Sequence, residues 1–288
     1  MQLIYPAPAG EGPPDLARLY AYPPRAEVAG AGLDRPWVRA NMIESADGAA
    51  AVDGLSGGLG GPADREVFGL LRALAGVILV GAGTAREEGY RPARVAGRWA
   101  GLRAGRAATP PIAVLSGRLD LDPAGPLLAG APAGARTIVI TAESAPAARR
   151  ADLARHADVV IGGEHEVTAA AAVSALAGLG YREVLAEGGP HLLGQLAAAG
   201  LIDELCVTIS PVLAGGPAGR IIRCLAPAPG SPAPAAPSRL TLAHVLADGD
   251  YLLCRYRRAG SQGPARQPAG PENSPQRTAR VAGPRARA

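Results

Sequence analysis

Glu187-Gly188-Gly189-Pro190-His191 follows the strand-like Glu183-Val184-Leu185-Ala186 and opens a helical pattern. Its two glycines stand where backbone N–H groups can turn toward an anion. That is chemistry for a nucleotide phosphate. Val77-Ile78-Leu79-Val80-Gly81-Ala82-Gly83-Thr84-Ala85-Arg86 repeats the arrangement: an apolar strand, a glycine turn and a helix start, with Thr84 and Arg86 able to reach a phosphate. Position 86 is arginine, so the full G-x-G-x-x-G is not present, and a turn needed only for packing would carry the same letters. The next strand, Ile112-Ala113-Val114-Leu115, ends in Ser116-Gly117-Arg118, where a site for NAD often shows an acid for the ribose hydroxyls. Arginine there favours a 2′-phosphate and hence NADP; a solvated turn with an exposed arginine is the plainer reading.

A third constellation is Ser45-Ala46-Asp47-Gly48, followed by Gly54-Leu55-Ser56-Gly57-Gly58-Leu59-Gly60-Gly61-Pro62. So many glycines let backbone approach a flat ring or close over it, as an ordinary flexible connection would also allow. Ala63-Asp64-Arg65 then opens a helix, and a carboxylate there serves the helix N-terminus through caps and the macrodipole. If the helix lines a pocket, Asp64 becomes a proton donor or an anchor for an amide-amidine edge. Competing chemistries lack their residues. His156, His165, His191 and His244 are scattered, no H-x-E with P-C-x-x-C exists for a zinc deaminase, and there is no G-x-S-x-G elbow; no metal is expected.

The elements that must position these groups alternate. Strands are expected at Trp37 to Ile43, Val77 to Val80, Pro111 to Leu115, Thr137 to Ile140, Val159 to Ile161, Glu183 to Ala186 and Glu204 to Ser210. Helices are expected at Ala63 to Leu74, Ala145 to His156, Val167 to Leu179 and Pro190 to Ala199. This order predicts an α/β protein with a mostly parallel sheet covered on both faces. Leu240 to Leu246 and Tyr251 to Arg257, joined by Ala247-Asp248-Gly249-Asp250, predict an antiparallel hairpin at the sheet edge. Residues 1–34 read as an N-terminal extension with one amphipathic piece, Asp15 to Tyr20, lying on the main fold. Residues 35–258 form the body, and 259–288 a disordered Arg/Pro-rich tail.

With 288 residues, 48% of them hydrophobic, the chain has ample material for a core. It contains no lysine, so its 29 basic residues are all arginine, a bias expected of a GC-rich genome. The tail holds five arginines against one glutamate, which accounts for the whole net charge of +4, so the body is neutral. Nucleic-acid binding by a basic face is therefore not expected, and an arginine-tail module is the weakest reading. Cys206, Cys224 and Cys254 form no C-x-x-C pair, which fits a reducing cytoplasm. No signal peptide is expected, and no apolar run reaches the roughly 20 residues of a membrane span.

Taken together, Ser45-x-Asp47-Gly48, Gly61-Pro62-Ala63-Asp64-Arg65, Leu71-Arg72-Ala73, Val80-Gly81-Ala82-Gly83-Thr84, Glu187-Gly188-Gly189-Pro190 and Asp203-Glu204-Leu205 through Pro211-Val212-Leu213 form an ordered set. It resembles the reductase domain of the bifunctional riboflavin-biosynthesis deaminase/reductase, and the likeness covers about Pro36 to Arg257. The resemblance implies a three-layer α/β/α dihydrofolate reductase-like fold, a homodimer and a stand-alone reductase, since the deaminase half has no counterpart here. It also implies NADPH lying across the carboxyl ends of the strands. Gly188-Gly189, joined by a cis peptide in dihydrofolate reductases, would lie against the cofactor after Glu187, with Ser45 near the nicotinamide. Gly81, Gly83, Thr84 and Arg86 would hold the pyrophosphate, and Ser116 with Arg118 the 2′-phosphate. Asp64 matches the carboxylate that anchors the pterin in dihydrofolate reductases. The pattern is broken on the substrate side: Asn41 and Ala49 replace lysines flanking Ser-x-Asp-Gly, and Glu88-Gly89-Tyr90-Arg91-Pro92 replaces Asp-Asn-Pro.

The expected activity is NADPH-dependent reduction of a small planar heterocycle, a ribosylaminopyrimidine of riboflavin synthesis or alternatively a pteridine such as dihydrofolate. Asp64 and Ser45 are the candidate catalytic residues, and Asn41, Asp47, Asp64 and Arg91 the candidate substrate contacts, with Arg86, Arg91 or Arg94 supplying charge. A non-catalytic NADP-binding regulator is the alternative of another class.

Overall fold

The computed structural model of the chain describes residues 1–7, 12–30, 35–223 and 238–259. Residues 226–237, a proline- and alanine-rich stretch read from the sequence as a loop before the hairpin, and the expected tail beyond residue 259 lie outside the described residues.

Ten strands form one sheet: β1 (Gln2–Tyr5), β2 (Trp37–Ser45), β3 (Val77–Gly81), β4 (Ile112–Leu115), β5 (Ile138–Ala142), β6 (Asp158–Gly163), β7 (Glu183–Ala186), β8 (Glu204–Ser210), β9 (Leu240–Asp248) and β10 (Tyr251–Arg258). Their order across the sheet is β1-β9-β10-β8-β2-β7-β3-β4-β5-β6. Everything from β8 to β6 is parallel, and β10, β9 and β1 add antiparallel pairs. The mostly parallel sheet with its C-terminal hairpin is as expected. The hairpin is not the sheet edge, however, because β1 pairs with β9 outside it. The first residues thus belong to the sheet. Four residues are too few to show a period, and the pairing that makes them a strand comes from a partner more than 200 positions away.

The helices are α1 (Leu16–Leu19), α2 (Arg25–Gly30), α3 (Pro62–Leu74), α4 (Ala82–Glu87), α5 (Pro126–Ala129), α6 (Ala147–Ala154), α7 (Ala169–Gly178) and α8 (Pro190–Ala198). The unbroken apolar run of β3 follows from cover on both faces. Ile78 and Val80 join a core with Val67, Leu70 and Leu71 of α3 and Leu153 of α6. Val77 and Leu79 point the other way, to Ala172, Val173 and Leu176 of α7 and Leu192 and Leu196 of α8. Two helices at the carboxyl ends of the strands, α3 and α8, have proline in the first turn, Pro62 after Gly61 and Pro190 after Gly189.

Asp203-Glu204-Leu205 has a structural task. Asp203 accepts two hydrogen bonds from Arg35, each 2.7 Å, and one from the Val38 amide at 2.9 Å. Glu204, fully buried, accepts from Arg39 Nε of the neighbouring strand and from Arg255 Nη2 at 2.8 Å. Arg255 also donates to the carbonyls of Leu19, the last residue of α1, and of Ala21 beyond it, so the ion cluster ties the N-terminal segment to the sheet. There Tyr20 meets His244 edge-on, with ring centroids 4.7 Å apart.

The cluster sets a pH dependence. Burial, reinforced by Arg255, lowers the His244 pKa from 6.5 to about 4. Burial alone would raise the Glu204 pKa, but Arg39 and Arg255 outweigh it and hold it at about 2. Both groups have folded values below their unfolded ones. Stability is therefore complete above pH 6.5 and falls with acidification, first as the unfolded chain protonates its histidine and then, below 4.5, its glutamate. Urea unfolding at stepped pH is expected to lose up to ~3 kcal/mol through the histidine limb. In His244→Gln the loss above pH 4.5 should disappear; an unchanged profile would acquit His244.

Candidate active site

A cleft of about 1090 Å³ opens at the carboxyl ends of β2, β3 and β7, where open parallel sheets bind their ligands. Asn41, Met42 and Ile43 of β2 and Gly81 of β3 line it, with α3, α4 and the start of α8 around them. Helix α3 presents Asp64, Phe68 and Arg72, spaced four apart and hence on one stripe.

Asp64 lies in the first turn of α3, and a Cβ at Gly60 would stand 3.1 Å from its Oδ2, so the glycine loop runs directly beside the carboxyl group. Burial raises its pKa above the ordinary carboxylate value, while the Thr208 hydroxyl and the Arg65 guanidinium pull it back. Such a group keeps its proton to a higher pH than a surface aspartate does. Thr208 comes from β8, on the same sheet face as Glu204 and Cys206.

The two glycine turns, more than 100 residues apart in the chain, interlock. The Gly81 amide donates to the Gly188 carbonyl at 2.9 Å, and the Gly188-Gly189 peptide is cis. A Cβ at Gly189 would stand only 2.1 Å from Thr84 Oγ1. Gly81, Gly83, Thr84 and Gly189 all line the cleft. The start of α4, whose N-cap is Gly81, and that of α8, whose N-cap is Gly189, therefore meet at one place and bring their free N–H groups together.

Glu187 forms the adjoining wall. Its buried carboxylate accepts two bonds of 2.7 Å from Arg72 and one of 2.8 Å from the Tyr90 hydroxyl. Arg72 lies over the Phe68 ring at 4.2 Å. Burial, and then the Glu187 charge, push the Tyr90 hydroxyl well above its ordinary pKa, so it stays a donor. Arg91 lines the cleft with no hydrogen-bond or ion-pair partner among the described residues.

Other candidates lie elsewhere. Ser45 does not line the cleft: its buried hydroxyl donates to Asp47 and accepts from the Ala49 amide at 2.8 Å. Asp47 is also outside, exposed and bonded to the Ala214 and Gly215 amides. Arg86 turns away to the Asp120 carbonyl at 2.9 Å. Ser116 accepts from the Leu119 amide at 3.0 Å and closes the turn that carries the exposed Arg118. That turn follows Leu115, which pairs with Gly81, so it flanks the cleft on the β4 side. Among the described residues no group of three or more His, Cys, Asp or Glu is arranged for a metal, and no helix is long and apolar enough to cross a membrane.

A profile of the RibD C-terminal domain matches residues 36–253. The chain belongs to the RibD C-terminal domain family. Within it, similarity extends to a 2,5-diamino-6-ribosylamino-4(3H)-pyrimidinone 5′-phosphate reductase of Methanothermobacter thermautotrophicus, 34% identical over 122 residues, 42% of this chain and only 55% of the relative's length. A protein of the same description from Archaeoglobus fulgidus is 27% identical over 188 residues, 63% of this chain and 83% of the relative. Among solved structures, a pyrimidine reductase-like protein from Corynebacterium diphtheriae superposes with a TM-score of 0.71 at 25% identity, covering 84% of this chain and 98% of that one. The expected fold is the one found. Of the family pattern's two substrate-side breaks, Asn41, Tyr90 and Arg91 come together at the cleft, whereas Ala49 is buried in the Ser45 turn.

Phe68, Arg72, Tyr90, Thr208 and Arg223 were not among the expected site residues. The spacing of four from Asp64 through Phe68 to Arg72 is the signal that could have found the first two. Nothing local marks Thr208 or Arg223, which reach the site through strand pairing and a strap after β8.

Proposed function

We propose that the protein is an NADPH-dependent reductase of a ribosylaminopyrimidine 5′-phosphate of riboflavin synthesis. The observation that carries this reading is one cleft in which the interlocked Gly81–Thr84 and Gly188–Gly189 turns stand beside the half-buried Asp64, in a chain of this family. A cofactor fits the residues present: the two glycine turns pack so closely that a methyl group at Gly189 would collide with Thr84, and two helix starts bring N–H groups without helical partners to that point. NADPH, when bound, supplies the hydride. Gly81, Gly83 and Thr84 would hold its phosphates, with Gly188 and Gly189 against the nicotinamide and Ser116 and Arg118 on the 2′-phosphate. Asp64 anchors the heterocycle and, when protonated, donates the proton that completes reduction. Glu187, neutralised by Arg72, keeps a lone pair on Oε1 for a substrate hydroxyl, and Arg91 supplies positive charge beside it. Ser45 and Asp47 act without touching the reacting atoms.

Asp64 with Thr208 also suits the amide-amidine edge of a pteridine, which is the second reading. Following the absorbance of reduced nicotinamide with pyrimidine and pteridine substrates separates the two, and oxidation with neither would remove both. On the cofactor, Arg118→Ala is expected to weaken NADPH binding about 10- to 100-fold and leave NADH binding unchanged. Equal losses for the two nucleotides would displace the 2′-phosphate from Arg118. A cytoplasmic homodimer is the expected state. The free, buried Cys206 and Cys254 support the first part, and the exposed Ile4, Tyr5 and Leu252 support the second; sedimentation would test the dimer.

A further inference from the structure

The Ser45-x-Asp47-Gly48 motif lies outside the cleft, yet its side chains are fully engaged. The Asp47 carboxylate accepts from the Ser45 hydroxyl at 2.5 Å, the Ala214 amide at 3.0 Å and the Gly215 amide at 2.8 Å. The same turn binds the segment after β8 twice more: the Ala46 amide donates to the Val212 carbonyl at 2.9 Å, and the Ala50 amide to the Gly219 carbonyl at 2.8 Å. Residues 212–219 thus form a strap laid across the end of β2. Little apolar burial holds it, since Leu213 is 82% exposed and the positions from Gly215 to Gly219 are all exposed. Hydrogen bonds to the 46–50 turn fix its course, and two of them end on one carboxylate. That carboxylate's pKa is lowered to about 2 by the Ser45 hydroxyl and the Ala214 and Gly215 amides, so it accepts as an anion at any working pH.

The strap leads into the cleft. Gly219 and Arg223 both line it, and the Arg223 amide donates at 3.0 Å to the carbonyl of Pro190, next to Gly189. The Arg223 side chain packs back over Gly219, its Cδ 3.4 Å from where a Cβ would stand. Its guanidinium has no acceptor among the described residues. An arginine held by its backbone at a cleft wall, with its charge unspent, is a reader of anionic oxygen.

We propose that Asp47 is a positioning residue that sets Arg223 through the strap, and that Arg223 takes a phosphate group of a ligand bound in the cleft. This deepens the reductase reading and rests on it for the identity of the ligand. A phosphate reaches the cleft on the cofactor or on the substrate, and the two sources are told apart by separate measurements.

Asp47→Ala, Arg223→Ala and the double variant would be compared for NADPH dissociation constant, substrate KM, kcat and melting temperature. Each single variant is expected to weaken one of the two binding constants about 10-fold and to leave kcat within about twofold. Because both act through one contact, the double variant should also lose about 10-fold rather than about 100-fold. A melting temperature within ~4 °C of the parent is expected, as the strap carries little of the core. Movement of the NADPH constant assigns the phosphate to the cofactor, and movement of KM alone assigns it to the substrate. Unchanged binding in Arg223→Ala, or multiplied losses in the double variant, would overturn the proposal. Should Asp47→Ala not fold, Asp47→Asn, which loses the charge and one acceptor, takes its place with a smaller expected loss. Calorimetry with inorganic pyrophosphate reads the same coupling without turnover. Coupling there in a protein that binds no NADPH would overturn only the reductase reading, and pyrophosphate binding indifferent to both substitutions together with an unchanged KM would overturn this one.

Discussion

Asp64→Asn is expected to lower kcat by about 10²- to 10³-fold while NADPH binding stays at the parent value. Asparagine keeps the size of the side chain, so Gly60 and α3 need not move; what is lost is the proton and the charge. The pH profile then distinguishes the two roles open to the carboxyl group. Burial raises its pKa, opposed by Thr208 and Arg65, so the acid form persists to a higher pH than in a free aspartate. If Asp64 donates a proton, kcat/KM falls as pH rises through that raised value. If it works as an anionic anchor for an amidine edge, activity falls as pH drops through it. Either limb should vanish in the asparagine variant. Turnover equal to the parent would remove Asp64 from the chemistry.

Gly189→Ala is expected to abolish NADPH binding, with a loss of at least ~100-fold in affinity and a stability cost of about 1–3 kcal/mol from overpacking. The new methyl group would lie 2.1 Å from Thr84 Oγ1, inside any allowed contact. Thr84 is short and β-branched and sits in the first turn of α4, so relief requires the helix start itself to shift away from the Gly188 turn. That shift separates the α4 start proposed to hold the phosphates from the Gly188-Gly189 turn proposed to lie against the nicotinamide. Adding Thr84→Ala removes the colliding oxygen and should restore most of the stability, with partial recovery of affinity. Wild-type affinity in Gly189→Ala would show that the two turns need not touch for the cofactor to bind.

Several candidate site residues were legible because the pattern that marks them is local. A strand that runs through glycine into a helix start leaves N–H groups without helical partners whatever the rest of the fold does; Gly81 stands so between β3 and α4, and Gly188-Gly189 between β7 and α8. Asp64 was legible as a helix-start carboxylate, but its two possible tasks could not be separated, since burial and the Thr208 hydroxyl come from other elements. Ser45 and Asp47 show the limit most clearly. A serine and an aspartate two apart beside glycines look like site chemistry, yet their partners are amides at positions 49, 214 and 215. Arg86 likewise has the right spacing for a phosphate and a nearer acceptor at Asp120.

By itself the sequence determined the alternation of strands and helices, the parallel sheet with apolar strands covered on both faces, the glycine turns and the helix starts at Pro62 and Pro190. These are set by side-chain periodicity, by proline at the first helical turn and by glycine, all within a few residues. Only the tertiary structure decided that β7 inserts between β2 and β3, which brings Glu187 to Gly189 beside Gly81 and Asn41, that β1 closes the sheet edge, and that a strap tied to Asp47 delivers Arg223. Backbone N–H and C=O groups are the same at every position, so strand order and long-range clamps depend on which buried faces fit together, and no local pattern records that.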